Sequence, residues 1–436
     1  MNVSALLLVL GLLLATGCED ARTQYAASLG TAPPVAPPPQ APRDDWITFA
    51  HDARRTGFQP QLTGLDAKSV AGLRPRWVAH LGEPIKASPL VVPGRVFIAG
   101  QHGTVRALDS RSGRTLWSTS LGGDVEMTPA LADGLLFVGV RAMPGILAAL
   151  DIRTGAVKWR YRFPGGVRGE PVVYRGVVYE GETGGDFPSC GHGGVRALDE
   201  RTGRLRWVWY VAPKVHQGGS VWAPLGFDGV HLIFGTGNGC VPGLGGADAL
   251  IALDLSGRLR WSHEVAPSNS DDDFGGGTLL MHGQVIATNK DGNLYDLNAE
   301  TGALEWSTPM GSAPGYGGIG TPTSNGAVIL ASPGFLNDPT KTKGPPGGAL
   351  VAYDTAGHEL WRVPTKNPFP GAAAIEDGLA FAALDGRFVA LDLTNGSVVW
   401  SYPAHSSAYA SPAVVPSGVY FADDAGAVFA FSNARR

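Results

Sequence analysis

One motif recurs along the chain and constrains the fold more than any other feature. Residues 197–207 have the form AxDxxxGxxxW, and close copies stand at Ala107/Asp109/Gly113/Trp117, Ala149/Asp151/Gly155/Trp159 and Ala390/Asp392/Gly396/Trp400. Ala252/Asp254/Gly257/Trp261 and Ala352/Asp354/Gly357/Trp361 shorten the turn by one residue, and Asp296/Asn298/Gly302/Trp306 replaces the Ala and the Asp. In each copy the Asp can bond its own backbone, the Gly can take φ > 0, and an apolar strand restarts toward the Trp. Trp77, Trp117, Trp159, Trp207, Trp261, Trp306, Trp361 and Trp400 are separated by 40, 42, 48, 54, 45, 55 and 39 residues. That spacing holds four short strands with their loops, the length of a propeller blade rather than of a helical repeat.

Each unit reads as inner strand, second strand, third strand, turn and Trp strand. The first comprises Ser88–Val92, Val96–Ala99, Thr104–Leu108 and Thr115–Trp117, and later units open near Thr128, Glu170, Trp222, Gly275, Thr321, Ala372 and Ser411. The eighth unit lacks a Trp strand, while residues 76–78 form a Trp strand with no unit before it. The two fragments complete each other, and pairing them removes exposed sheet edges. The expectation is an all-β, eight-bladed β-propeller of four-stranded antiparallel blades with docking Trp repeats, its ring closed by the N-terminal strand. The repeat spans nearly all of 436 residues, so one domain over 45–436 is expected. The chain holds 62 Gly and 33 Pro with 17% charged residues, in keeping with many short strands and tight turns. A net charge of −4 without clustered Lys and Arg excludes a nucleic-acid partner.

Residues 5–14 are apolar, too short to cross a bilayer and placed like a secretory signal. The small residues before Cys18 resemble a bacterial lipobox, which makes 1–18 a signal peptide and Cys18 the lipidated residue. Residues 19–44, with Pro33, Pro34, Pro37, Pro38, Pro39 and Pro42, read as an extended linker that holds the propeller off a membrane surface. The expected product is an exported, membrane-anchored lipoprotein facing the periplasm or the cell exterior.

Strand alternation places the start of each inner strand and the end of each second strand on one face. The long insertions at 182–194, 237–247 and 333–348 all fall there, and insertions gathered on one face of a repeat protein commonly build its binding surface. Four residues of adjacent units share that top face: Trp222, Asn238, Asp273 and Lys290. A flat aromatic, a neutral oxygen ligand, a carboxylate and a cation suit a planar anionic cofactor with a bound hard cation.

On these residues the chain resembles the quinoprotein, or pyrroloquinoline quinone (PQQ), propeller family. Residues 219–222 resemble the segment whose Trp lies against PQQ, 235–238 the motif whose Asn binds calcium, 272–276 the catalytic-Asp segment, and 289–292 the stretch whose basic residue contacts the quinone. The resemblance implies PQQ held by Trp222 and Lys290, calcium held by Asn238 and Asp273, and Asp273 as the general base in the oxidation of an alcohol or sugar. If Gly275 stands where lanthanide-using relatives carry a second Asp, it points to calcium. The family's calcium-binding Glu falls near Ser189 or Cys190, with Glu182 and Asp186 as the carboxylates available to replace it, and the blade-one Arg is absent around 101–103. No CxxCH haem motif is present, so electrons leave to another acceptor.

The alternative is a cofactor-free propeller that binds a protein partner, similar to the scaffold lipoprotein of the outer-membrane barrel-assembly machinery. Cys190 and Cys240 lie in top-face insertions of adjacent blades, and in an exported chain they are expected to form a disulfide.

Overall fold

The computed structural model describes residues 45–433, apart from 61–62, 185–190, 213, 215–216, 241–243, 266–271, 312–318, 334–346 and 368–370. The signal, the lipobox Cys18 and the whole linker lie outside the described residues, as do Asp186 and Cys190.

Eight four-stranded antiparallel sheets form the ring. Their inner strands, blades 1 to 8 in order, are Leu90–Val92, Ala130–Ala132, Val172–Tyr174, Gly226–Phe227, Leu279–Met281, Thr323–Ser324, Ala374–Glu376 and Ala413–Val415. Closure is as the sequence predicts: Leu73–His80 pairs antiparallel with Ala427–Asn433 as the outer strand of blade 8. The middle strands are buried on both faces, as along Ala249–Asp254, whereas the outer strand Leu259–Glu264 alternates buried and exposed residues. Strands packed between two neighbouring blades read as continuous apolar runs, and the rim keeps period two.

The motif is the joint between blades. The indole Nε1 of Trp159 donates to Glu200 O of the next blade at 2.9 Å, Trp77, Trp117, Trp207, Trp261 and Trp361 donate to equivalent carbonyls at 2.8–3.0 Å, and Trp400 donates to Leu73 O at the start of the closing strand at 3.2 Å. Gly203 is required twice over. Its φ is +69°, and a Cβ there would meet Trp159 Cε3 at 2.6 Å. A branched residue would therefore strain the turn and lift the indole of the preceding blade.

Blade 5 departs from this pattern. Asp296 replaces the motif's Ala and is fully buried, taking Gln284 Nε2 at 2.5 Å, and among the described residues Trp306 Nε1 reaches no carbonyl of the next blade. Burial, with Glu305 nearby, pushes the Asp296 carboxyl up to about 7. The folded state thus holds a proton that the unfolded chain releases from about pH 4 upward, so this site loses stability as pH rises through 7. Asp296→Ala, the residue used by the other blades, is expected to be more stable than wild type by roughly 1–3 kcal/mol near pH 8, with the gain shrinking toward pH 5. Urea unfolding at both pH values measures this; a gain independent of pH would contradict it.

The segment 46–59 crosses the channel and ties the inner edges of the blades together. It meets the second residue of seven inner strands: Val91, Leu131, Phe227, Leu280, Ser324 and Ile375 bond its main chain at 2.7–2.9 Å, and the side chain of Gln59 donates from Nε2 to Val414 O at 3.1 Å. Blade 3 is reached by Arg55, whose Nη2 donates to Glu170 O at 3.3 Å. Inner strands leave one row of amides and carbonyls without a sheet partner, and a buried row of that kind needs an acceptor or donor. The crossing segment supplies it.

Candidate functional site

At the top of the ring, two sets of equivalent positions encircle the channel. Two residues before each inner strand, hydroxyls link the blades: Ala372 N donates to Ser411 Oγ, Ser411 N to Ser88 Oγ, Ser88 N to Thr128 Oγ1 and Gly277 N to Thr321 Oγ1, at 2.8–3.0 Å. Blade 3 places Glu170 at this position, and its carboxylate takes the amide of Thr128. Four residues before each inner strand stand Lys86, Glu126, Arg168, Trp222, Gly275, Ile319 and Tyr409; the blade 7 residue, Pro370, lies outside the described residues. Three of these seven, on the consecutive blades 1 to 3, are charged, and the other four are aromatic, aliphatic or Gly.

Trp222 is half-buried, and the glycines beside it shape its seat. A Cβ on Gly275 would overlap the indole, and one on Gly237 would meet Trp222 Nε1 at 2.7 Å and Asp273 Oδ1 at 3.1 Å. An Asp at position 275 would have no room while the indole keeps this place. Asp273 is buried and Lys290 nearly so; the Lys290 ammonium donates to Asp273 Oδ2 at 2.7 Å and lies 5.3 Å from the Trp222 ring centroid. Main-chain bonds fix this geometry: Lys290 N donates to Asp273 O at 3.1 Å, and Asn289 Nδ2 donates to Asp272 O at 2.6 Å. Three of the four residues expected on the top face thus converge.

Asn238 is placed differently from the sequence expectation that it ends the second strand. That strand, His231–Gly235, stops at Thr236, whose hydroxyl donates to Gly246 O at 2.7 Å and accepts from Ala249 N at 3.0 Å. Residues Gly237–Gly239 then leave the blade and pair with Gly218–Ser220, which exposes Asn238. Gly237 abuts the Trp222–Asp273 pair.

Glu182 is engaged elsewhere. Arg196 Nε donates to its Oε2 at 2.7 Å, Gly165 N donates to its Oε1 at 2.7 Å, and the guanidinium is packed near the rings of Phe163 and Tyr210. Among the described residues no group of three or more His, Cys, Asp or Glu converges as a metal cage. Cys240 is disulfide-bonded.

Sequence reasoning missed the rest of the belt and a buried acid pair. Lys86, Glu126 and Arg168 sit at the repeat position of Trp222, a correspondence that appears once each unit is aligned on its inner strand. Glu170 and Glu180 are buried beside Arg55, and each has an Oε2 without a hydrogen-bond donor among the described residues.

A family model described as outer membrane protein assembly factor BamB, of the PQQ_2 repeat, matches residues 55–121, 101–314, 246–334 and 290–435. The quinohemoprotein alcohol dehydrogenase of Comamonas testosteroni is 24% identical over 504 aligned positions, covering 84% of this chain and 70% of that one. Its crystal structure superposes with a TM-score of 0.79 at 20% identity, covering 91% of this chain and 82% of that chain. BamB from Moraxella catarrhalis superposes with a TM-score of 0.62 at 17% identity, covering 84% and 98%.

Proposed function

This chain belongs to the PQQ-repeat family of β-propellers, and we propose that it is a quinoprotein-type dehydrogenase that oxidises an alcohol or a sugar with PQQ. The observation that carries the reading is the convergence of Trp222, Lys290 and Asp273 within a seat bounded by Gly237 and Gly275. A half-exposed indole flanked by glycines offers one face to a planar ring, and an ammonium at its rim suits an anionic one. PQQ, when bound, supplies the quinone that accepts hydride from the alcohol carbon. Within the chain, Trp222 orients the ring, Asp273 accepts the hydroxyl proton as general base, and Lys290 holds that carboxylate in place.

The residues fit PQQ better than they fit calcium. Asn238 and Asp273 are the oxygens such a cation would use, Lys290 already occupies Asp273 Oδ2, and a hard cation of this kind takes six to eight oxygens. No step is therefore routed through a metal. The engagement of Glu182 by Arg196 favours the second reading, a cofactor-free scaffold that binds a protein partner. In either case the chain is read as exported and held at a membrane by lipid on Cys18, with Cys190 paired to Cys240 and, for the enzyme, a separate electron acceptor.

Adding PQQ, with and without calcium, to the purified protein is the test. A ligand at 100 times its Kd stabilises the folded state by about 2.7 kcal/mol, and Trp222→Phe is expected to weaken that gain. Asp273→Asn is expected to keep PQQ binding while dye-coupled alcohol oxidation falls by about 10²- to 10⁴-fold. Absence of any shift in melting temperature at saturating PQQ, in both conditions, would leave only the scaffold reading.

A further inference from the structure

Resting on the dehydrogenase reading, we propose that the charged part of the top belt receives an anionic group of the substrate, so that the substrate class is an alcohol or sugar bearing a carboxylate or phosphate. Glu126 stands at the centre, its side chain only 8% exposed, with Arg141 Nη1 donating to its Oε1 at 2.9 Å. Lys86 Nζ and Arg168 Nη2 lie 3.7 and 3.9 Å from its two oxygens, in ion-pair range but beyond a direct hydrogen bond. Three cations thus share the one Glu126 carboxylate.

Two details single this cluster out from an ordinary surface network. Arg168 Nε is buried and has no acceptor among the described residues. A buried donor left without a partner costs about 1–3 kcal/mol, and a guanidinium edge is best satisfied by a carboxylate or phosphate oxygen. The cluster also stands on blades 1 to 3 of the same belt that holds Trp222 on blade 4, and Lys86 is steadied from blade 8 by the Tyr409 ring at 5.3 Å. With the aromatic part of the mouth assigned to the cofactor, the cationic part is where a substrate entering the channel presents its polar end. Electrostatic focusing at such a mouth raises the local concentration of anions.

The test is calorimetric titration of the cofactor-free protein at low ionic strength with glycerate, glycerol phosphate and neutral glycerol. Both anions are expected to bind and glycerol is not; the stronger of the two anions identifies the group. Lys86→Gln and Arg168→Gln are each expected to weaken anion binding by about tenfold, while Arg206→Gln, exposed on the outer strand Leu205–Tyr210 of blade 3, leaves it unchanged. Glu126→Gln removes the internal competitor and is expected to tighten binding several-fold. Weaker binding in Glu126→Gln would mark the cluster as a structural ion-pair network and overturn the proposal, as would equal binding of glycerol and glycerate. Loss of PQQ binding in Arg168→Gln would also overturn it, by assigning the cluster to the cofactor. Anion binding as expected, with no PQQ binding to wild type, upholds the site and removes the dehydrogenase reading alone.

Discussion

Replacing Arg55 with alanine is expected to lower the unfolding free energy by about 4 kcal/mol or more. The guanidinium is fully buried and donates from Nε to Leu225 O at 2.8 Å and from Nη1 to Thr48 Oγ1 at 2.8 Å and Phe49 O at 2.9 Å, besides its bond to Glu170 O. Hydrogen bonds to a charged group contribute about 1.5–3 kcal/mol each, and losing one member of a buried charged network costs about 3–5 kcal/mol. The loss also leaves the carbonyls of Phe49, Glu170 and Leu225 without this donor. Arg55→Lys is expected to recover little of it, because one ammonium cannot span acceptors on the crossing segment, blade 3 and blade 4 at once. Denaturant unfolding followed by Trp fluorescence gives the number; a loss below about 1 kcal/mol would mean that the segment 46–59 does not secure the ring.

The second large effect is a fall in stability with rising pH, set by the acid pair beside Arg55. Burial pushes the Glu170 carboxyl up to about 7, even with Arg55 beside it. Burial raises Glu180 well above the ordinary carboxylate range, and the neighbouring Glu170 adds to that shift. Both folded-state values exceed those of the unfolded chain, so the folded protein binds more protons between about pH 4.5 and 7 and beyond. Stability is therefore full on the acid side and is lost as pH rises through 7, with a slope of up to about 1.4 kcal/mol per pH unit for each proton released on unfolding. Glu180→Gln is expected to flatten that slope and to exceed wild type in stability near pH 8, while the two converge near pH 5. Parallel curves for the two proteins across that range would show that Glu180 titrates normally.

Much of this was legible in the residues. The Trp spacing set the number of blades, and the orphan Trp strand at 76–78 set the closure, because both are periodic features written in side chains. The convergence of Trp222, Asp273 and Lys290 was also legible, since strand alternation alone assigns them to one face. Asn238 was not. Its place depended on where the second strand of blade 4 stops, and that is decided by hydrogen bonds of Thr236 to Gly246 and Ala249, across an insertion with no repeat to align it.

The crossing segment escaped the sequence for a different reason. Most of its bonds run between backbone groups, which every residue carries, so no pattern of side chains announces them. The acid pair and the charged belt escaped because their members are distant in sequence: Arg55 meets Glu170 and Lys86 meets Glu126 only once the blades pack, and Lys86 meets Tyr409 only when the ring is closed.

What the sequence by itself determined is the blade, repeated and closed, together with the face on which its loops gather. Those follow from local rules, in which turn chemistry and period-two burial act within a few residues. What only the tertiary structure decided is which charges meet between one blade and the next and along the crossing segment. Burial and Coulomb energy depend on distances between blades, and no residue carries those until the ring has formed.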